Sequence, residues 1–235
     1  LRHPAHGRAR PLTRKILLEA LFMTVLATLA LVAMFGIQNG NFTVDAGQSA
    51  IIYGINTGDE PVQHETSLFK TNVAVPGGTA TLSSDTSYTI NAKVESARFY
   101  DDTIGDLVPY DLLLAWGDLA LDDVDSRLDW EQDDRRGQVS GSLGGANGVD
   151  LSTSYIIGHV SNNHLIPSTD RIARAMKNIK AGDMVRMDGR LVDIRMSLNN
   201  NSVLTVNTSK TRTDQGEGAC EVIYVEQLRV NGQSY

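Results

Sequence analysis

PSTDRIARAMKNIKAGDMVRMDGRLVDIRM, residues 167–196, is the stretch whose reading decides the fold. Its opening Pro167-Ser168-Thr169-Asp170 offers an N-terminal cap, and Ile172, Ala175, Met176 and Ile179 then fall at i, i+3, i+4 and i+7. Lys177 and Lys180 suit the C-terminal end of such a helix and Gly182 suits its stop. One apolar stripe on an otherwise polar cylinder packs on a sheet. Residues 184–196 follow as a long strand in which Val185 and Met187 share one phase while Val192, Ile194 and Met196 take the other. Gly189 sits at the switch, where a bulge or sharp bend lets one strand serve two sheets.

Working outward, Leu198-Asn199-Asn200-Asn201 supplies a turn into a strand at 203–208, and residues 220–225 close the set. Upstream, Tyr155-Ile156-Ile157-Gly158-His159-Val160 predicts a buried strand, and Val108-Pro109-Tyr110-Asp111 predicts the start of a helix through Leu112-Leu113-Leu114-Ala115-Trp116. Short β-like runs punctuated by Gly, Pro, Asn and Asp fill residues 50–100. The expected class is therefore α+β and β-rich: an antiparallel, barrel-like domain with one or two short helices, with the OB arrangement as its candidate topology. Residues 51–107 form a β-rich segment in this scheme and residues 108–235 the barrel-like domain.

Residues 16–37 are apolar except for Glu19, Thr24 and Thr28. At about 1.5 Å per residue they reach ~33 Å, enough to cross a ~30 Å hydrocarbon core. Arg2, Arg8, Arg10, Arg14 and Lys15 precede the run with no acidic residue among them, and the next basic residue after it is Lys70. The positive-inside bias makes residues 1–15 a cytoplasmic tail and 16–37 a single-pass transmembrane helix. The run exceeds a signal-peptide core of ~7–15 residues, so the anchor is expected to stay uncleaved, with 38–50 as a polar tether. A bacterial inner-membrane protein with a periplasmic domain is the expected setting.

Beyond residue 37 the chain holds 16 basic and 27 acidic residues, a net charge of −11. That balance repels nucleic acid, so none is expected as a partner. Asp122, Asp123, Asp125, Asp129, Glu131, Asp133 and Asp134 crowd one stretch, but Asp123-x-Asp125 is followed by Arg127 rather than the turn glycine of a calcium loop, and a solvated face is expected. The Gly141-Ser142-Leu143-Gly144-Gly145 region lacks the Lys-Ser/Thr ending of a phosphate loop, and no cofactor is expected.

The densest polar cluster is His159-Val160-Ser161-Asn162-Asn163-His164. In an extended chain Asn162 and His164 share one face and His159 the other. Such residues either satisfy backbone groups in a crossing or form a ligand or metal site, with His164 the candidate ligand. Cys220 beside Glu221 is either a buried structural thiol or a nucleophile with a histidine base. Trp116 is either core or the wall of a pocket.

Tyr110-Asp111-Leu112 with Ala115-Trp116-Gly117, Asn162-x-His164-Leu165-Ile166-Pro167, Gly182-Asp183 with Gly189-x-Leu191-Val192, and Gly218-Ala219-Cys220-Glu221 occur in that order. Together they resemble a family of membrane-anchored bacterial proteins with no established activity. The resemblance covers about residues 108–225 and implies that the positions of these motifs, Asp111, Trp116, Asn162, His164, Cys220 and Glu221 among them, are a shared constellation; with His159 from the polar cluster they make up the candidate functional group. Two functions are open: a membrane-anchored binding or assembly module for another envelope protein, or a metal- or thiol-dependent hydrolase that gathers Asp111, Asn162, His164 and Cys220 near Trp116.

Overall fold

The computed structural model describes residues 51–102, 104–141, 152–211 and 219–235. The expected tail, transmembrane helix and tether lie outside these residues, as does most of the glycine-rich loop after Gly141. Among the described residues no helix is long and apolar enough to cross a membrane. Val44–Tyr235 is one compact unit, and all three hydrophobic clusters lie wholly inside it, so a fragment starting at Val44 carries its own core.

A small hairpin of β1 (Ile51–Ile52) and β2 (Ile55–Asn56) comes first. Then β3 (Val62–Val75) turns at Pro76-Gly77 into the long β4 (Gly78–Phe99), and β5 (Tyr110–Ala115) pairs back on β4. A 3-10 turn (Gly117–Ala120) and α1 (Asp122–Asp125) lead to the hairpin β6 (Leu128–Asp133) and β7 (Arg136–Gly141). After α2 (Thr153–Gly158) come β8 (Val160–Pro167), α3 (Asp170–Met176), β9 (Met184–Leu198), β10 (Val203–Val206), β11 (Glu221–Val230) and β12 (Gln233–Ser234). Because β4 pairs with β9 as well as with β5, the strands β4, β5, β8, β11 and β9 form a closed ring of pairings. The molecule is β-rich α+β, with few helices and a barrel-like ring of strands.

The helix at the heart of the sequence reading forms as its residues dictate. Thr169 caps it by accepting from the Ile172 N–H, and Ile172, Ala175, Met176 and the following Ile179 are buried in the ring core. The long strand β9 also forms and serves two cores. Val185, Met187 and Leu191 face the ring interior with Tyr88, Ile90 and Leu112, while Val192, Ile194 and Met196 join a second cluster with Leu82, Ile166 and Val222.

The device differs from the expected one, because β9 simply alternates and the change of core falls between Leu191 and Val192. The extra residues lie on its partners: β4 shifts register between Ser83 and Thr86, and β11 between Val225 and Gln227. Gly189 instead marks a close backbone approach, since a Cβ there would stand 2.1 Å from the Tyr224 carbonyl oxygen.

Two elements correct the sequence reading. Residues 112–116 are not helical, because Tyr110–Ala115 is a strand buried along its whole length between β4 and β8. Buried on both faces, it has no polar phase to reveal its period, and a run of leucines then reads equally as helix. The predicted strand at 155–160 is mostly the short helix α2, capped by Ser152, which accepts from the Tyr155 N–H, and the strand starts only at Val160. The ring is also not wholly antiparallel, since β8 and β11 run parallel.

Candidate functional site

Three neighbouring strands build the site. In β5 and β8 Asp111 stands opposite His164 and Leu113 opposite Asn162, and β11 lies along β8 with Val222 beside His164. Strand alternation sends Tyr110, Leu112, Leu165 and Ile223 into the ring core, so Asp111, Asn162 and His164 share its outer face. Cys220, just before β11, joins them there.

His164 Nδ1 lies 2.9 Å from Asp111 Oδ1. Asp111 is fully buried, and its other oxygen has no hydrogen-bond partner among the described residues. The Asn162 amide has its orientation fixed at both ends: Oδ1 accepts from Gln132 Nε2 at 2.6 Å, and Nδ2 donates to the Arg135 carbonyl at 2.9 Å and to Cys220 Sγ at 3.7 Å. Burial opposes charge on His164, but hydrogen bonding to the Asp111 carboxylate and to Cys220 outweighs it and raises the imidazole to about 9. At neutral pH His164 is therefore an imidazolium in contact with both an acid and a thiol.

The β6–β7 hairpin lies over this group. Its two-residue turn, Asp134 at φ 45° and Arg135 at φ 61°, joins the paired residues Asp133 and Arg136. Both sit in the left-handed region, and the turn presents the Arg135 guanidinium to Asp111 (3.4 Å), the Val108 carbonyl (3.1 Å) and Asp102 (3.0 Å), with the Tyr100 ring 4.2 Å away. Gly137 lets the hairpin backbone close down, since a Cβ there would meet Leu113 Cδ1 at 2.4 Å. Gln132, Arg135, Tyr100 and Asp102 escaped the sequence reading. The available signal was a charged Asp-Asp-Arg-Arg turn inside a run that is otherwise solvated, with Asp122, Asp123, Asp129, Glu131, Asp133 and Asp134 all exposed.

Not every expected residue belongs here. Trp116 and His159 form a separate group at the far end of β5. The buried indole donates to Glu60 at 3.2 Å, and His159 lies 3.0 Å from Glu60 and stacks on Tyr155 with ring centroids 3.8 Å apart. Trp116 is core, four strand positions and more from Asp111, and does not wall the Cys220 site. Glu221 is buried on the opposite face of its strand from the site, level with Asn163.

As for a metal, among the described residues no three His, Cys, Asp or Glu side chains are placed to hold one.

A second charge group, built on the buried Lys93 and Glu95, lies apart. Lys93 Nζ bridges Asp122 (2.9 Å) and Asp125 (2.8 Å), and Asp125 also accepts from the Trp130 indole at 2.6 Å. Beside them burial, and then the negative charge of Asp125, push Glu95 up to about 8. Since that value lies above the ordinary carboxylate range, stability from this group is full below about pH 4.5 and is lost as pH rises through 8. Glu95→Gln is expected to match the wild type in urea unfolding at pH 4.5 and to exceed it by up to ~5 kcal/mol at pH 9, the penalty for ionising a buried carboxylate. Equal stability of the two proteins at pH 9 would show that Glu95 ionises freely in the fold.

No known family model matches the chain, and neither a curated protein nor a solved structure matches it.

Proposed function

We propose that the exported domain is a membrane-anchored envelope enzyme that works through Cys220 as a nucleophile, in the manner of a thiol-dependent hydrolase or acyl transferase. The observation that carries this reading is the unbroken chain of contact from buried Asp111 through the His164 imidazolium to a half-buried Cys220. Sγ, as the thiolate partner of the His164 imidazolium, attacks the carbonyl carbon of an ester, thioester or amide, His164 gives its proton to the leaving group as the tetrahedral adduct collapses, and a thioester forms on Cys220. Water, deprotonated by the now neutral His164, then releases the acid and restores the thiolate–imidazolium pair. Asp111 keeps the imidazole charged and oriented, and the Asn162 N–H beside Sγ supplies a donor for developing negative charge.

The ring order supports an OB-type topology for the scaffold. Taken in chain order, its five strands pair first with second, second with third, third with fifth in parallel, fifth with fourth and fourth with first, with α3 between third and fourth. OB barrels often bind nucleic acid, but the net charge of −11 beyond residue 37 argues against that ligand. The apolar run 16–37 with its basic flank supports an inner-membrane anchor with the N-terminus in the cytoplasm and the domain in the periplasm.

The test is acyl trapping. The fragment from Val44 treated with p-nitrophenyl acetate should release one equivalent of nitrophenolate in a burst and carry one acetyl group on Cys220 by mass spectrometry. His164→Ala should abolish the burst. A second reading, a binding or assembly module for an envelope protein, is favoured by the outer edge of β3, which pairs only with β4 and exposes Val62 and Leu68. A folded protein that forms no acetyl adduct would sink the enzyme and leave that edge as the working surface.

A further inference from the structure

We propose that the cleft between the end of β4, the start of β5 and the C-terminal end of α3 binds a single-chain aliphatic anion, such as a long-chain carboxylate. This inference stands apart from the chemistry at Cys220. Tyr110 and Leu112 face the ring interior and Asp111 the exterior, so the two sites lie on opposite faces of β5.

The cleft has a volume of about 450 Å³, within the ~300–1,000 Å³ of small-ligand sites. Its floor is the exposed side of the ring core, with Leu112, Met176, Ile179 and Tyr110 lining it. The one hydroxyl in that floor is engaged, because Tyr110 donates to the Ala173 carbonyl at 3.2 Å. A floor with no polar group to spare suits a hydrocarbon chain and penalises a sugar or a peptide backbone. Phe99 stands at the rim, 59% exposed and 5.4 Å from the Tyr110 ring, an aromatic surface with nothing yet to cover it among the described residues.

Charge decides the head group. The exported chain is strongly acidic, yet the charged residues lining this cleft are both cations, Arg98 and Lys177, with no carboxylate among them. Arg98 stands opposite Asp111 in register and its Nε donates to the Gln132 carbonyl at 3.1 Å, so its side chain is turned to the other face of the sheet and Lys177 is the cation of the lining that is left to meet a ligand. Lys177 follows α3 directly and is exposed. An apolar slot with a lysine at its mouth and no carboxylate in its lining, on a chain of net negative charge, favours an aliphatic tail with an anionic end over its cationic counterpart.

Isothermal titration of the Val44 fragment with decanoate, beside decyltrimethylammonium, tests the proposal. One-to-one saturable binding of decanoate and none of the ammonium is expected. Lys177→Glu should weaken decanoate roughly fivefold or more, as reversal of a solvent-exposed pairing charge allows, and Phe99→Ser should weaken it through lost apolar contact. Both positions are exposed, so both variants should keep the wild-type fold by circular dichroism. Absence of saturable decanoate binding, equal binding of the ammonium, or binding indifferent to both substitutions would overturn it.

Discussion

His164→Ala is expected to slow alkylation of Cys220 by iodoacetamide at pH 6.5 by about tenfold. An isolated thiol is only ~1% ionised at that pH, and alkylation proceeds through the thiolate. The His164 imidazolium in contact with Cys220 favours the attacking anion and so raises the reactive species. Stabilised thiolates are weaker nucleophiles, with a Brønsted slope of ~0.4–0.5, which cuts that gain to about tenfold. The wild-type pH–rate profile should show an inflection near 9, where His164 loses its proton. Cys220 is the only cysteine in the chain, so the label reports one site. His164→Gln, which keeps most of the side-chain volume, separates loss of charge from loss of packing. Rates within threefold of the wild type for both variants, with no inflection near pH 9, would reduce Cys220 to a structural thiol.

Asp111→Ala is expected to cost about 3 kcal/mol of stability at pH 7. Asp111 is wholly buried and is the counter-charge for both His164 and Arg135. Removing one partner of a buried ion pair typically costs ~3–5 kcal/mol because the other charge is stranded. Two features hold the figure at the lower end: His164 can shed its proton, and Arg135 keeps Asp102 at 3.0 Å.

The pH dependence carries a definite sign. His164 titrates near 9 in the fold and near 6.5 in the unfolded chain, so its stabilising contribution is full below about pH 6.5 and disappears as pH rises through 9. In Asp111→Ala the imidazole loses its main counter-ion, and this decline should flatten. Guanidinium unfolding of the wild type and the variant at pH 6 and pH 9.5 measures both effects. A loss below 1 kcal/mol at pH 7, or an unchanged pH slope, would mean that the Asp111–His164 contact contributes little.

The capped helix was legible because its signals are local: Thr169 at the cap, four apolar residues at helical spacing and Gly182 at φ 88° just beyond. The two-core strand was legible because its change of phase is written into its own side chains. The buried strand Tyr110–Ala115 was not, since a segment covered on both faces loses the alternation that marks a strand. The β-branched run Ile156-Ile157 misled in the opposite direction, where a Ser152 cap and tertiary packing prevailed over propensity.

For the site, the sequence by itself determined the candidate residue types and one relation between them. Asn162 and His164 had to share a face of any extended segment, and Cys220 had to act, if at all, as a single thiol. Everything else needed the third dimension. Asp111 lies more than fifty residues before His164, and Cys220 more than fifty after it. Only the register of β5, β8 and β11 brings them into contact. Tertiary structure also decided that Trp116 and His159 stand elsewhere with Glu60, and that Arg135 turns inward from a charged hairpin. Local sequence fixes which face a side chain takes, because backbone geometry alternates over two residues. Which faces meet depends on strand pairings between distant segments, and these are set by the burial of the whole core.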